Sequence, residues 1–318
     1  MNKLRLVIVV LLLISCKNSE KENDPSLIGE NVNWPHQYEA ISQLGDTLYA
    51  ATPSEKITAK LEAKKKAYDK SSDNLDNLIW YGRFTAYIGD YRKAIAIYTD
   101  GLEKFPNESR LLRHRGHRYI SVREFDKAIA DLSKAADLIQ GKENWVEQDG
   151  MPNEQNIPVS TMHGNIYYHL GLAYYLNRNL PAALDAYKNC LQTSHNADNM
   201  VSATHWIYMI QRRMGRKEAA ENYLRNIKPG MNVIENDSYY KACLFYKGEL
   251  QLEEVYDPNA ESSPSNTALK YAVGNWYMYN GMPKKAAEIY NTIVSGKDWA
   301  SFGYIAAETD LIKPYSQR

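Results

Sequence analysis

His114 and His117 are the first pair in this chain that could share a ligand. On a helix, a spacing of three puts both imidazoles on one face, where neutral histidine can hold a metal ion. A third ligand does not follow, and Arg113, Arg115 and Arg118 surround the pair. That positive charge repels a cation and suits a phosphate or another groove ligand. Asp149, Ser160 and His163 share one long loop, but their spacing has no triad logic. Glu253-Glu254 is a carboxylate pair of the sort any helix end carries. The chain has no His-Glu-x-x-His, no Gly-x-Ser-x-Gly and no Walker loop. No catalytic residue, no metal and no cofactor is expected, and the chain reads as a non-enzyme.

The elements around these residues repeat. Leu78, Tyr81, Gly82 and Thr85 lie three or four apart and share a helix face. Gly89-Asp90 ends that helix. A second helix, Arg92 to Lys104, carries Ala94, Ile97, Tyr98, Gly101 and Leu102 on one face, and Pro106 stops it. The next copy starts 34 residues on, with Arg115-Gly116, Tyr119, Phe125, Ala128, Leu132 and Ala135-Ala136. A third starts near Gly164 (Tyr167, Leu170-Gly171, Tyr174, Leu180, Ala183, Tyr187, Cys190), with Pro181 in the first turn of its second helix. A degenerate fourth starts near Val201, where Tyr208 replaces the glycine and Gly215, Ala220 and Leu224 hold the frame. A fifth starts near Thr267 (Val273-Gly274, Tyr277, Gly281, Ala286-Ala287, Tyr290). Trp299, Phe302-Gly303 and Ala306 then repeat the first-helix pattern alone, as a terminal cap would.

Helical hairpins recurring at this period mark a solenoid. The pattern resembles the tetratricopeptide (TPR) repeat over roughly residues 75 to 312. The resemblance implies an all-α, right-handed superhelical solenoid of TPR helical hairpins. Several stretches, among them Arg83-Phe84-Thr85-Ala86-Tyr87 and Gly274-Asn275-Trp276-Tyr277, look like a group of exported TPR lipoproteins of Gram-negative bacteria with no assigned activity. Two irregular stretches interrupt the array: an insert at 141–163, with Trp145, Met151 and Met162 to pack it and the length to cross a groove, and a decayed unit at 237–252 followed by a polar loop. Residues 36–74 are expected to supply N-terminal capping helices, one of them the amphipathic stretch Ile57 to Tyr68.

Lys3 and Arg5 precede a short apolar run, Leu6 to Ile14, and then Ser15-Cys16. This reads as a secretory signal over 1–15, too short to span a bilayer. Leu13-Ile14-Ser15-Cys16 resembles the bacterial lipobox, which implies that Cys16 carries the lipid; a plain signal peptide is the alternative. Residues 16–35 are polar and read as a flexible tether. Lys17 follows the cysteine where a retention aspartate would stand, so the resemblance implies an outer-membrane anchor facing the periplasm, with surface export open. Membrane attachment is expected through the lipid only. Cys190 sits at a packing site of its repeat, and a disulfide with Cys243 stays open.

Lysine plus arginine and aspartate plus glutamate number 38 each, which argues against a nucleic-acid partner. The 25 tyrosines exceed what repeat packing uses. In TPR arrays the first helices line the concave surface. That resemblance predicts a groove lined by Arg83, Tyr87, Arg113, His117, Tyr168, Tyr175, His205, Met209, Arg212, Tyr271, Asn275, Tyr279 and Tyr304. Tyrosine and arginine are the usual interface anchors. The lysine–asparagine combination of the chaperone-tail clamp is not found. The expectation is a non-catalytic scaffold holding a protein or peptide partner. The alternative is a glycan-binding outer-membrane lipoprotein that stacks sugar on its surplus tyrosines.

Overall fold

The structure, a computed structural model, describes residues 38–313. The signal, the tether and Cys16 lie outside the described residues. A β-hairpin opens the described chain, β1 (Tyr38–Ile41) pairing antiparallel with β2 (Thr47–Tyr49). Then α1 (Glu55–Lys70) packs on the first hairpin, α2 (Leu75–Tyr87) with α3 (Tyr91–Lys104). Next come α4 (Ser109–Ser121) with α5 (Phe125–Leu138), α6 (Met162–Leu176) with α7 (Leu180–Gln192), and α8 (Ala197–Arg213) with α9 (Lys217–Leu224). The irregular stretch forms α10 (Asp237–Lys247) and the short α11 (Leu252–Val255). The last hairpin is α12 (Pro264–Tyr279) with α13 (Pro283–Val294), and α14 (Phe302–Ile312) closes the chain. The fold is an all-α solenoid of helical hairpins carrying one small β-hairpin.

Local chemistry sets the helix starts. Asn74, Asp90 and Asn179 each accept a backbone N–H three residues on, satisfying an otherwise orphaned donor of α2, α3 and α7. Pro181 and Pro283 stand in first turns, where no hydrogen bond is lost.

One register runs through every hairpin. A glycine on the first helix faces a large residue sixteen positions later on the second: Gly82 and Tyr98, Gly116 and Leu132, Gly171 and Tyr187, Gly274 and Tyr290. A Cβ at Gly116 would lie 2.6 Å from Leu132 Cγ, so only glycine lets the pair close. In the degenerate fourth hairpin no glycine stands at this position, and buried Tyr208 on α8 and Leu224 on α9 occupy the two places.

Seven residues after each of these positions the chain turns with positive φ. Gly89, Gly215 and Gly281 stand there in hairpins one, four and five. Hairpins two and three use Arg123 (φ 66°) and Arg178 (φ 65°) instead. A side chain in that region costs about 1 kcal/mol, and persists where its surroundings hold it. Here α14 holds it. The Arg123 guanidinium grips Glu308 with two bonds of 2.7 and 3.0 Å, Arg178 donates to the Thr309 carbonyl, and Arg213 forks onto Asp310. Arg213, Glu308 and Asp310 are almost fully buried. The helix expected as a terminal cap is thus clasped by the turns of three earlier hairpins.

One expectation changes and two are made definite. Residues 36–74 hold a β-hairpin before α1, not helices throughout: β2 alternates, with Leu48 buried between exposed Thr47 and Tyr49, while β1 buries Glu39 and Ala40 in succession at an irregularity in its register. The decayed unit keeps α10 as a real helix, packed on α8 and α12, but its second helix shrinks to four residues. Cys190 and Cys243 are both free and buried, the Cys190 thiol pushed up to about 12 by burial.

Candidate functional site

The insert between α5 and α6 folds back on the array. Glu147 N–H donates to the Ser160 carbonyl at 2.9 Å and Met162 N–H to the Trp145 carbonyl at 3.0 Å, which ties its two limbs together. Gly150 at its tip presses on Trp80 and Tyr87 of α2, close enough that a Cβ would collide with both rings. Opposite stands the loop after α9. Buried Asp198 fixes it by accepting the backbone N–H groups of Ile234, Glu235 and Asn236 at 2.7–3.1 Å. Between insert, loop and the helices α2, α4 and α6 lies a cavity of about 370 Å³.

Arginines and histidines make its inner wall. Arg83 Nη1 donates to the Gln148 carbonyl at 2.9 Å, and its Nε and Nη2 meet the Tyr87 hydroxyl. Arg113 is buried, pairs with Glu147 at 2.8 Å and donates to His114 Nδ1 at 2.7 Å. Glu147 also accepts from the Asn165 amide. Arg118 lines the cavity with its guanidinium 5.2 Å from the Tyr91 ring. His117 and His169 lie with ring centroids 4.1 Å apart, and Phe302 of α14 closes the base against both.

The electrostatics follow from burial. Desolvation first, then the charges of Arg113, Arg83 and Arg118, hold His114 well below the usual histidine range. Desolvation, then Arg118, does the same to His117, and desolvation with Arg113 to His169. All three are neutral near pH 7. Three guanidinium groups therefore make the inner wall with Glu147 engaged among them, while Asp149 and Glu235 stand exposed at the mouth. Such a wall suits an anion or a carbonyl-rich segment. Among the described residues no three His, Cys, Asp or Glu side chains are grouped to hold a metal.

Five of the expected groove residues meet here: Arg83, Tyr87, Arg113, His117 and Tyr168. Tyr168 offers its ring, since its hydroxyl is engaged by Tyr239 and Trp206 at 2.9 Å each. The others do not line a groove. Tyr175 and Tyr271 join hydroxyls at 2.6 Å in the core, and Asn275 accepts from Arg213. Met209 is fully buried, and the Tyr304 hydroxyl donates to the Val294 carbonyl. His205 lies beneath Tyr239 and Tyr246, its pKa driven down to about 3 by burial. Tyr279 is buried under Arg212, whose guanidinium sits 4.4 Å from the ring and bonds Tyr208 and Asn280. The physical reason is common: α10 and α14 cover the first helices of the later hairpins, so their polar faces become internal contacts.

Arg118, His169, Asp149 and Glu235 were missed as site residues. For Arg118 a signal existed. Two residues after the glycine position the other hairpins carry Phe84, Ala173, Ile210 and Trp276, all apolar. A charge at a packing position calls for a partner. Asp149 and Glu235 arrive on loops, which no periodicity places. Of the three loop residues that showed no triad logic, Asp149 accepts from Met151 N–H at 2.9 Å and His163 stands edge-on to Trp145.

No protein family and no curated protein matches the chain. Among solved structures it is similar to a tetratricopeptide repeat protein from Parabacteroides merdae ATCC 43184, at 17% identity and TM-score 0.46, covering 80% of this chain and 92% of that one. It is similar to YrrB, described as a TPR protein with an unusual peptide-binding site, at 16% identity and TM-score 0.42, covering 78% and 96%. It is also similar to MamA AMB-1, at 18% identity and TM-score 0.40, covering 54% and 86%. These TM-scores are low, and the functional reading rests on the pocket.

Proposed function

We propose that this chain is a non-catalytic binding protein of the cell envelope that captures a segment of a protein partner in the pocket between α2, α4, α6 and the insert. The observation that supports this is the cavity itself: about 370 Å³, walled by Arg83, Arg113 and Arg118, and roofed by an insert the repeat does not need. Pockets of a few hundred Å³ with a few convergent polar groups are where ligands bind. The site is a bounded pocket and not a long open groove, because α14 and α10 occupy the rest of the concave side. Envelope placement rests on the signal and lipobox of residues 1–16, with the lipid on Cys16 as the membrane link. Surplus tyrosines are what glycan binding would use, and packing accounts for many of them: Tyr187, Tyr208, Tyr246 and Tyr271 stack on internal rings, and Tyr175 meets Trp206 edge-on.

A photo-crosslinking residue at Gln148, on the pocket rim, tests the reading in the native envelope. It should give a discrete adduct, with the crosslinked partner segment identified by mass spectrometry. The same residue at Lys188, on the exposed face of α7, should not. Equal capture at both sites, or none at Gln148, overturns the reading. Cys16→Ser should move the protein out of the membrane fraction; retention there argues against the lipid anchor.

A further inference from the structure

The pocket's floor and rim carry opposite charge. Arg113, more than nine-tenths buried, spends part of its guanidinium on Glu147 but leaves its buried Nε without an acceptor. Arg118 lines the same floor, and among the described residues no carboxylate lies within ion-pair distance of it. Arg118 is half-buried and faces the cavity without a counter-charge, and the buried Arg113 Nε is costly unless an acceptor meets it. The rim is the reverse. Asp149 on the insert and Glu235 on the facing loop are exposed carboxylates. Burial raises the Glu235 pKa, a hydrogen bond from the Asn153 amide of the insert to its Oε1 at 2.5 Å opposes that, and the Asp149 charge adds to the rise. Such a rim repels a ligand that is negative along its length and favours one that turns basic outside the pocket.

Resting on the reading of this pocket as the partner site, we propose that what enters is a single compact oxyanion, a carboxylate or a phosphate, on a neutral or basic body. Arg118 and Arg113 hold the anion, and Asp149 and Glu235 receive the basic group that follows it. Elsewhere in the chain the same chemistry is already satisfied: Arg123 and Arg213 hold Glu308 and Asp310 by two-pronged bonds. A cavity of about 370 Å³ holds such a head group and excludes a polyanion, which the rim repels.

Calorimetric titration of the full chain with blocked dipeptides tests this. Acetyl-Asp-Lys-amide and acetyl-phosphoSer-Lys-amide are the two probes, and their relative affinity says which oxyanion is preferred. At least one should bind, acetyl-Asn-Lys-amide should not, and acetyl-Asp-Glu-amide should bind about tenfold more weakly than its lysine counterpart. Arg118→Gln should cost at least about tenfold with the melting temperature kept. Arg83→Gln, at a half-buried position, should give a smaller loss and serves as the test should Arg118→Gln fail to fold. Asp149→Asn with Glu235→Gln should erase the preference for lysine over glutamate. No binding of either probe at about 10 mM, or unchanged affinity in the arginine variants, overturns the proposal. If the Gln148 adduct persists while both probes fail, the pocket is the partner site and the oxyanion assignment is wrong. If the adduct is absent too, the site reading itself falls.

Discussion

Two sets of three arginines sit on the inner side of this array, and they do different work. Arg123, Arg178 and Arg213 reach α14 and find Glu308, the Thr309 carbonyl and Asp310. Arg83, Arg113 and Arg118 reach the cavity, where one carboxylate, Glu147, meets Arg113 alone among them. The clasp is complete, and its arginines are spent on holding the fold. The pocket is incomplete, and its spare donors are what a ligand would use. Arginine content alone would have given both sets the same role; the difference is whether the chain supplies its own carboxylates.

The comparison breaks most sharply on stability. Asp310→Ala should strand Arg213 in the interior and cost on the order of 3–5 kcal/mol, read by denaturant unfolding. Arg118→Gln should change stability by no more than about 1 kcal/mol in either direction, because it breaks no ion pair. Equal losses would erase the distinction between clasp and pocket.

Glu39 is the converse case, a buried carboxylate held by the Arg92 backbone N–H at 3.0 Å instead of a guanidinium fork. Burial raises its pKa to about 7, partly offset by that bond. The folded state then binds the proton more tightly than the unfolded chain, so stability falls as pH rises from about 4.5 through 7. Glu39→Gln should flatten that decline, worth on the order of 2 kcal/mol after solvent screening, in melting curves taken across the range. An unchanged slope would mean Glu39 is not the titrating group.

The pocket should also respond to pH where the clasp does not. Around His117 stand Arg113, Arg118 and His114 of α4, His169 of α6, Tyr98 of α3 and Phe302 of α14. The arginine charges and burial keep the histidines neutral. A bound anion offsets those charges and raises their pKa, so binding of the carboxylate probe takes up protons and should tighten as pH falls. An affinity that weakens as pH falls would contradict this sign. The smallest effect belongs to neither region. Lys241→Ala removes an exposed i,i+4 pair with Asp237, and should shift stability by less than about 0.5 kcal/mol.

Much of the array was legible before any coordinates. The glycine that admits Tyr98, Tyr187 or Tyr290 sits at a fixed offset from its partner, because both lie on regular helices joined by a turn of constant length. The β-hairpin was not read: strands of four and three residues give a period-two signal too short to stand out. The pocket was half legible. Arg83, Tyr87, Arg113, His117 and Tyr168 follow from helix phase, whereas Tyr175, Tyr271 and Asn275 obey the same phase and are buried.

The amino-acid sequence by itself determined the hairpins, their register and the face each first helix turns inward. These are short-range consequences of residue size, helical period and capping. Which inward faces stay accessible was decided only in the folded molecule. That outcome depends on where α14, α10 and the 141–163 insert come to rest, and on whether a carboxylate far along the chain reaches a given arginine, as Glu308 reaches Arg123 across 185 positions. Contacts at such separations follow from how the hairpins stack, and no local pattern encodes them.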